Sequence, residues 1–201
     1  MSLFPIFVKL AGRPALVVGG GAPAESRIEA LLASGALVQV VARTGGSKLR
    51  EWAGSGAVVW CRREFRPGDV AGRTMVFAAT GIPEIDGLVF AACRRWGVLC
   101  NAVDDPPHCD FYCAAVVRRG DLQIAISTNG RSPALAQQLR RELEQRFDGE
   151  WSQRLEALGR ERREILARVP AGPERVRLLH EKVREALAEA AARTEGDRVI
   201  R

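Results

Sequence analysis

The sequence predicts an α/β fold, and three observations lead to this class. A short apolar run at residues 15–18 ends in three consecutive glycines, after which apolar residues recur with helical spacing. A second apolar run follows at 37–41, and residues 75–79 carry no polar side chain, as in strands that are buried on both faces. Strands that alternate with helices in this way imply a Rossmann-like, doubly wound parallel sheet.

The other elements of the first half continue this alternation. Helical spacing is clear at Ile28, Leu31 and Leu32, directly after the glycines. Pro67-Gly68 predicts a loop. We expect strands at 15–18, 37–41, 58–60, 75–79 and 98–103, with helices after the glycines, at 47–54 and at 85–96.

The organisation changes at Pro106-Pro107. Apolar runs at 114–117 and 122–126 flank the polar residues 118–121, which predicts a β-hairpin or a turn between strands. From residue 149 onward the pattern is helical, with one break at 170–173. We therefore expect three parts: a Rossmann domain at 1–113, a small α+β segment at 114–146 and a helical C-terminal domain at 147–201.

The glycines fit the phosphate-binding turn of a dinucleotide site, in the pattern Gly19-x-Gly21-x-x-Ala24. The first glycine permits the turn, the second lets the backbone approach a pyrophosphate, and the last small residue lets the helix pack on the strand. The pyrophosphate then lies at a helix N-terminus. The alternative is a turn that serves only as a tight connection. The residues expected at the cofactor are Gly19, Gly20, Gly21, Ala22, Pro23, Ala24, Arg43, Thr80 and Val103.

One expected feature is missing from this unit. Sites for NAD usually place Asp or Glu about 20 residues beyond the turn, at the end of the second strand. Here Ala42-Arg43-Thr44 occupies that place. Arg43 would meet a 2′-phosphate, which favours NADP, or stack on adenine, or face solvent. The residues alone leave the choice between NAD and NADP open.

Polar residues gather where the fourth and fifth strands are expected to end. Ligands of doubly wound sheets bind outside the carboxyl ends of the strands. Thr80 follows the fourth strand, and Asp104-Asp105, the one acidic doublet at this edge, follows the fifth. This carboxylate pair is therefore a candidate for a functional role at the cleft. The alternative is that an aspartate before Pro106 only stabilises a turn.

A second polar loop precedes a helix in the second half. Ser132 and Pro133 are typical of an N-cap and a first helical residue. Hydroxyls and a cation lie beside this helix start, so it suits an anionic substrate, whereas an ordinary capped helix is the alternative. The loop residues expected at the substrate are Ser127, Thr128, Asn129, Gly130 and Arg131.

Composition limits the function classes. The net charge is +6, but the chain has no nucleic-acid motif and 6% aromatic residues, so no nucleic-acid partner is expected. No apolar run could span a bilayer, and the N-terminus lacks a leader pattern. Five cysteines without paired zinc spacing indicate free thiols in a reducing, cytoplasmic compartment. His108-Cys109 and nearby acids form only a loose cluster, so no metal is predicted.

Six motifs follow one another along the first two thirds of the chain: Leu3-Phe4-Pro5-Ile6-Phe7, Val17-Val18-Gly19-Gly20-Gly21, Ala78-Ala79-Thr80, Asn101-Ala102-Val103-Asp104, Arg118-Arg119-Gly120-Asp121-Leu122 and residues 125–136. In this combination and order they resemble precorrin-2 dehydrogenase. The same family forms the N-terminal half of bifunctional siroheme synthases. The resemblance runs from about residue 3 to residue 146, and more loosely into the C-terminal helices.

The resemblance implies an activity and an assembly. Family members oxidise precorrin-2 to sirohydrochlorin by hydride transfer to NAD, on the way to siroheme. The resemblance implies a homodimer formed through residues 114–146, with Asp104 as the essential carboxylate. The residues leave open whether Asp104 accepts the proton or positions the macrocycle. It also implies that Gly19, Gly21 and Thr80 line the cofactor site. The substrate is a tetrapyrrole that carries many carboxylates, which fits the basic second half of the chain.

Alternatives to this function remain at this point. Some members of the family also insert ferrous iron into sirohydrochlorin, so a dehydrogenase with ferrochelatase activity is one. A non-catalytic dinucleotide-binding module is another. The chain departs from the family pattern at Pro23, where Val is usual, and at Ser26. No methyltransferase segment follows residue 201, so we do not expect the fused form.

Overall fold

The computed structural model describes residues 3–199, and the side chains of residues 3–192. The chain divides into two compact units, with the boundary between Cys113 and Ala114. Within the described residues, no helix combines the length and the apolar composition that a membrane span requires.

The first unit is a five-stranded parallel sheet with helices in the connections. The strand order is β3-β2-β1-β4-β5, and all four pairings are parallel. The chain therefore leaves β1 toward one edge and later returns to the other side of β1, as in a doubly wound fold. The elements are β1 Pro14–Val18, α1 Ala22–Ala33, β2 Leu37–Val41, α2 Ser47–Gly54, β3 Val58–Cys61, β4 Met75–Ala78, α3 Pro83–Trp96 and β5 Leu99–Ala102.

Two apolar layers hold this sheet between its helices. Successive residues of a strand point to opposite faces, so β1 contributes Val17 to one layer and Leu16 to the other. Ile28 of α1 packs in the layer of Val17, and Val89 of α3 packs in the layer of Leu16. All four side chains are fully buried. This explains why the central strands read as continuous apolar runs in the sequence.

The second unit combines a hairpin with three helices. Its strands pair antiparallel, and Ser132 caps α4 by accepting a hydrogen bond from the backbone N–H of Leu135. Among its described side chains only Val117 and Ala136 are buried. The elements are β6 Ala115–Arg119, β7 Leu122–Ile126, α4 Pro133–Arg146, α5 Trp151–Arg168 and α6 Pro173–Val199.

The predicted fold class is confirmed, and the differences are local. The predicted loop at Pro67-Gly68 is a 3-10 turn, Pro67–Val70, because Asp69 accepts a hydrogen bond from the backbone N–H of Arg66 at 2.8 Å. β5 ends at Ala102, so Val103 lies in the turn that follows the strand.

Candidate functional site

A cleft of about 410 Å³ opens at the carboxyl ends of the central strands in the first unit. It lies where β1 separates β2 from β4, the place at which the strand order reverses and ligands of such sheets bind. Loops after β1, β2, β3 and β4 and the start of α3 contribute to it. The lining residues are Val18, Gly19, Gly20, Gly21, Val41, Ala42, Arg43, Thr44, Gly45, Arg63, Glu64, Phe65, Thr80, Ile82 and Ile85.

The three glycines of the turn serve different needs. A Cβ on Gly19 would lie 2.2 Å from the carbonyl oxygen of Ala79, and one on Gly20 would lie 2.1 Å from that of Thr44. These two glycines therefore let the loops of neighbouring strands approach. A Cβ on Gly21 would meet nothing nearer than Pro23, at 3.8 Å. The fold itself does not require a glycine at 21, so the free space above it suits the close approach of a ligand.

The N-terminus of α1 at this turn is open to an anion. Gly21 is the N-cap, and no side chain caps the helix. The first N–H groups of a helix have no partner within it, and they favour negative charge together with the helix dipole. Pro23 has no N–H, which leaves those of Ala22 and Ala24 in the first turn. Ala24 is fully buried, where a larger side chain would separate α1 from the sheet. These residues fit a dinucleotide pyrophosphate.

Thr80, at the end of β4, is fixed by a buried acid that the sequence reasoning missed. Asp86 is 4% exposed and accepts hydrogen bonds from the Thr80 backbone N–H at 3.2 Å and from the Thr80 hydroxyl at 2.8 Å. The hydroxyl oxygen in turn accepts from the N–H of Ile82 at 3.1 Å. Asp86 thus holds the wall of the cleft that Thr80 and Ile82 form. The sequence signal that could have identified Asp86 is its position as an acid in the first turn of α3, shortly after Thr80-Gly81.

The loop after β3 also reaches the cleft. Arg43 and Glu64 pair at 3.3 Å across its rim, and the Arg63 guanidinium binds both carboxylate oxygens of Asp69, at 2.8 and 2.6 Å. The sequence reasoning named Arg43 but neither Arg63 nor Glu64. Because β3 runs parallel to β2, the two strands end at the same edge of the sheet. The residues that follow β3, Arg63 and Glu64, could therefore have been predicted to lie at the cleft.

The predicted carboxylate Asp104 lies in a tightly bonded loop and does not line the cleft. Its neighbours are all engaged: Asp105 Oδ2 lies 2.6 Å from His108 Nδ1, and the Cys109 thiol donates to the carbonyl of Ala102 at 3.1 Å. Asp104 itself is exposed, adopts a φ of +61°, and forms no hydrogen bond or ion pair with residues 3–192. Four residues that were expected at the cofactor also lie outside the cleft lining: Ala22, Pro23, Ala24 and Val103.

The loop of His108 and Cys109 is where the sequence shows a loose cluster of potential metal ligands. Burial raises the pKa of the Cys109 thiol and so disfavours the thiolate that a metal would need. Over residues 3–192, no three side chains of His, Cys, Asp or Glu converge on a point where a metal could be held.

The predicted substrate loop belongs to the second unit. Thr128 and Arg131 close a turn through a backbone hydrogen bond of 3.0 Å, and the Thr128 hydroxyl accepts from the N–H of Ser132 at 3.2 Å. Asn129 and Gly130 have positive φ values of 55° and 74°. Ser127 and Arg131 are exposed, and the Arg131 guanidinium has no partner among the described side chains.

Two family models match consecutive parts of the chain. Residues 6–115 match a model described as NAD(P)-binding. Residues 119–146 match the model of the central segment of sirohaem biosynthesis proteins. The first match ends two residues beyond the boundary between the two units, and the second lies wholly within the second unit.

Curated relatives match most of the chain. Siroheme synthase 1 of Aeromonas salmonicida is 38% identical over 144 residues, which are 72% of this chain and 31% of that protein. Siroheme synthase of Neisseria meningitidis serogroup C is 36% identical over 177 residues, or 88% of this chain and 37% of that protein. The chain spans about a third of the length of these relatives.

A solved structure matches nearly the whole chain. The protein titled SirC, precorrin-2 dehydrogenase, has a TM-score of 0.73 and 27% sequence identity. The match covers 94% of this chain and 100% of that chain. Together with the family models, it confirms the resemblance that the sequence motifs indicated.

The cleft predicts opposite effects for two glycine substitutions. In Gly21→Ala, NAD affinity should fall while the thermal midpoint stays within about 2 °C of wild type, because the new Cβ meets only the ligand. In Gly19→Ala, stability should fall by roughly 1–3 kcal/mol, because the Cβ meets Ala79 and the φ of +124° suits glycine. Calorimetric NAD titration and thermal unfolding measure both effects. A folded Gly21→Ala variant with unchanged NAD affinity would contradict the assignment of the turn.

Proposed function

Because the chain belongs to the NAD(P)-binding family whose model its residues 6–115 match, we propose that it is a precorrin-2 dehydrogenase of siroheme biosynthesis. It oxidises precorrin-2 to sirohydrochlorin with a nicotinamide dinucleotide, and the resemblance favours NAD as the acceptor. The observation that carries the proposal is the structural likeness to a precorrin-2 dehydrogenase over 94% of the chain. The central-segment match at residues 119–146 supports it independently of the nucleotide cleft.

The reaction needs a hydride acceptor and a proton acceptor. When bound, the dinucleotide supplies the hydride acceptor. We assign the proton to Asp104, whose carboxylate has no partner among residues 3–192 and is therefore available to a pyrrole N–H of the substrate. The same carboxylate would orient the macrocycle by accepting that hydrogen bond. Its engaged neighbours, Asp105 and Cys109, hold the loop in place.

The substrate's carboxylates need cationic and N–H donors. In the second unit, Arg131 supplies an exposed guanidinium, without a partner among the described side chains, beside the start of α4. Guanidinium groups bind carboxylates through paired charge-assisted hydrogen bonds. We therefore propose that residues 127–131 hold part of the tetrapyrrole.

A homodimer accounts for the weak core of the second unit. Among the described side chains of this unit only Val117 and Ala136 are buried, which is few for its length, and a two-stranded hairpin alone has marginal stability. Leu135 on α4 is 49% exposed although it belongs to an apolar stripe with Leu139 and Leu143. We propose that a second copy of the chain covers these surfaces through residues 114–146.

Asp104→Asn tests the catalytic assignment. Asn tolerates positive φ as Asp does, so the loop should keep its shape while the proton acceptor is lost. We expect the rate of sirohydrochlorin formation to fall by about 10²-fold or more, as is typical when a general base is removed. Glu51→Gln, the same chemical change at an exposed position of α2, should leave the rate unchanged. An Asp104→Asn rate equal to wild type would show that Asp104 is not the base.

Arg131→Ala tests the substrate loop. The variant should raise the KM for precorrin-2 and leave the Kd for NAD unchanged, because one ligand alone loses a charge-assisted hydrogen bond. Steady-state kinetics and NAD calorimetry separate the two effects. Equal loss of both affinities would indicate misfolding, and no loss of either would remove Arg131 from the substrate site.

Light scattering tests the assembly. Wild type at micromolar concentration should have twice the chain mass, which is 21.9 kDa. Leu135→Glu, which places a charge in the exposed apolar stripe of α4, should shift the protein toward the monomer. Gln137→Glu, on an exposed part of the same helix, adds the same charge and serves as the control. A monomeric wild type would overturn the proposed dimer.

A further inference from the structure

The nucleotide cleft lacks an acid at the place where one usually binds the ribose. In doubly wound sheets an Asp or Glu at the end of β2 binds the 2′-hydroxyl on the adenosine ribose of NAD. Residues 42–46, which follow β2, are Ala, Arg, Thr, Gly and Gly. We propose that Glu64, from the loop after β3, supplies the missing carboxylate and thereby selects NAD over NADP. The inference rests on the proposed function, and it adds the residue that recognises the ribose.

The sheet brings the loop after β3 beside the end of β2. Val41 and Cys61, the last residues of the two strands, are paired in register. The Ala42 backbone N–H donates to the carbonyl of Cys61 at 3.2 Å, and the Trp60 indole N–H donates to the carbonyl of Ala42 at 2.9 Å. The two chains therefore stay together beyond the strands. Among the described residues that line the cleft, Glu64 is the one acid.

The backbone at Glu64 is held through both of its neighbours. The Arg63 guanidinium donates to the carbonyl of Glu64 at 2.9 Å and to both carboxylate oxygens of Asp69, at 2.8 and 2.6 Å. The hydrogen bond from Arg63 holds the pKa of Asp69 below its ordinary value, so this clamp is intact at neutral pH. On the other side, Phe65 packs against the apolar layer that contains Leu16. The loop is therefore fixed, while the Glu64 side chain stays at the rim.

Arg43 holds the Glu64 carboxylate near the end of β2. Its guanidinium lies 3.3 Å from one carboxylate oxygen, and the two side chains are 75% and 79% exposed. Exposed pairs of this kind contribute little to stability, and this one is open to a ligand. An ionised carboxylate accepts hydrogen bonds through two oxygens. Glu64 can therefore accept a hydrogen bond from a ribose hydroxyl and keep its contact with Arg43.

The arginines of the rim offer the opposing interpretation, in which they bind the 2′-phosphate of NADP. Their contacts argue against it. Arg63 is engaged in the loop, and the Arg62 guanidinium lies over the Trp60 ring, 4.4 Å from its centroid. Arg43 pairs with Glu64, so a phosphate at this guanidinium would lie next to a carboxylate. Repulsion between the two anions disfavours NADP, and unfavourable contacts with the wrong ligand are a common source of specificity.

Calorimetric titration with three dinucleotides tests this inference: NAD, NADP, and 2′-deoxy-NAD, which lacks the 2′-hydroxyl on its adenosine ribose. Wild type should bind NAD about tenfold or more tightly than either of the others, as expected for a hydrogen bond to a charged acceptor. Glu64→Ala should weaken NAD by a similar factor, leave 2′-deoxy-NAD within about twofold of wild type, and strengthen NADP. Glu51→Ala, which removes the same charge at an exposed position of α2, should change none of the three affinities.

The possible failures differ. If Glu64→Ala weakens NAD and 2′-deoxy-NAD alike, or neither of them, Glu64 does not bind the 2′-hydroxyl, while the dinucleotide cleft stands. If wild type binds NADP at least as tightly as NAD, the arginines recognise a phosphate and the inference is overturned. If wild type binds no dinucleotide, the proposed function fails and this inference fails with it. The Glu64 side chain is exposed, so its removal should leave thermal unfolding unchanged, and a loss of NAD affinity therefore reports on the ligand.

Discussion

The close approach of three loops at the carboxyl end of β1 is the constraint on which the cleft depends. Gly19 faces the carbonyl of Ala79 and Gly20 faces that of Thr44, at separations that no Cβ could occupy. The loops after β1, β2 and β4 can meet only because both residues lack side chains. Their meeting brings the N-terminus of α1 to the point where the strand order reverses. The third glycine, Gly21, has no such neighbour, and this difference separates the residues that build the cleft from the one left for a ligand.

The sequence predicted those parts of the structure that local patterns determine. Apolar runs between turns predicted all five parallel strands, and Ser132-Pro133 predicted the start of α4, because strand burial and helix capping depend on adjacent residues. Contacts between distant segments carry no such pattern. The pairing of Arg43 with Glu64 joins β2 to β3, and the clamp of Asp86 on Thr80 depends on how α3 begins. Sequence reasoning therefore found the glycine turn and missed most of the rim and the support behind it.

The two units differ in how much apolar surface they bury and in how their polar groups are bonded. The first buries two apolar layers and ties its polar loops together, and Asp104 has no partner among residues 3–192 although its neighbours are bonded. The second buries few of its described side chains, and among these the Arg131 guanidinium has no partner. Groups left free by an otherwise well-bonded fold are candidates for ligand and partner contacts. Three assignments stay predictions: the catalytic role of Asp104, the substrate role of residues 127–131, and the domain boundary at 146/147.

The central claim is that this chain oxidises precorrin-2, and the reaction itself tests it most directly. Purified protein is given precorrin-2 under anaerobic conditions with NAD, and in parallel with NADP, while absorption follows both the macrocycle and the reduced dinucleotide. We expect the sirohydrochlorin spectrum to appear together with an equal amount of reduced dinucleotide, in proportion to enzyme concentration. An unchanged precorrin-2 spectrum, with protein that binds the dinucleotide, would contradict it.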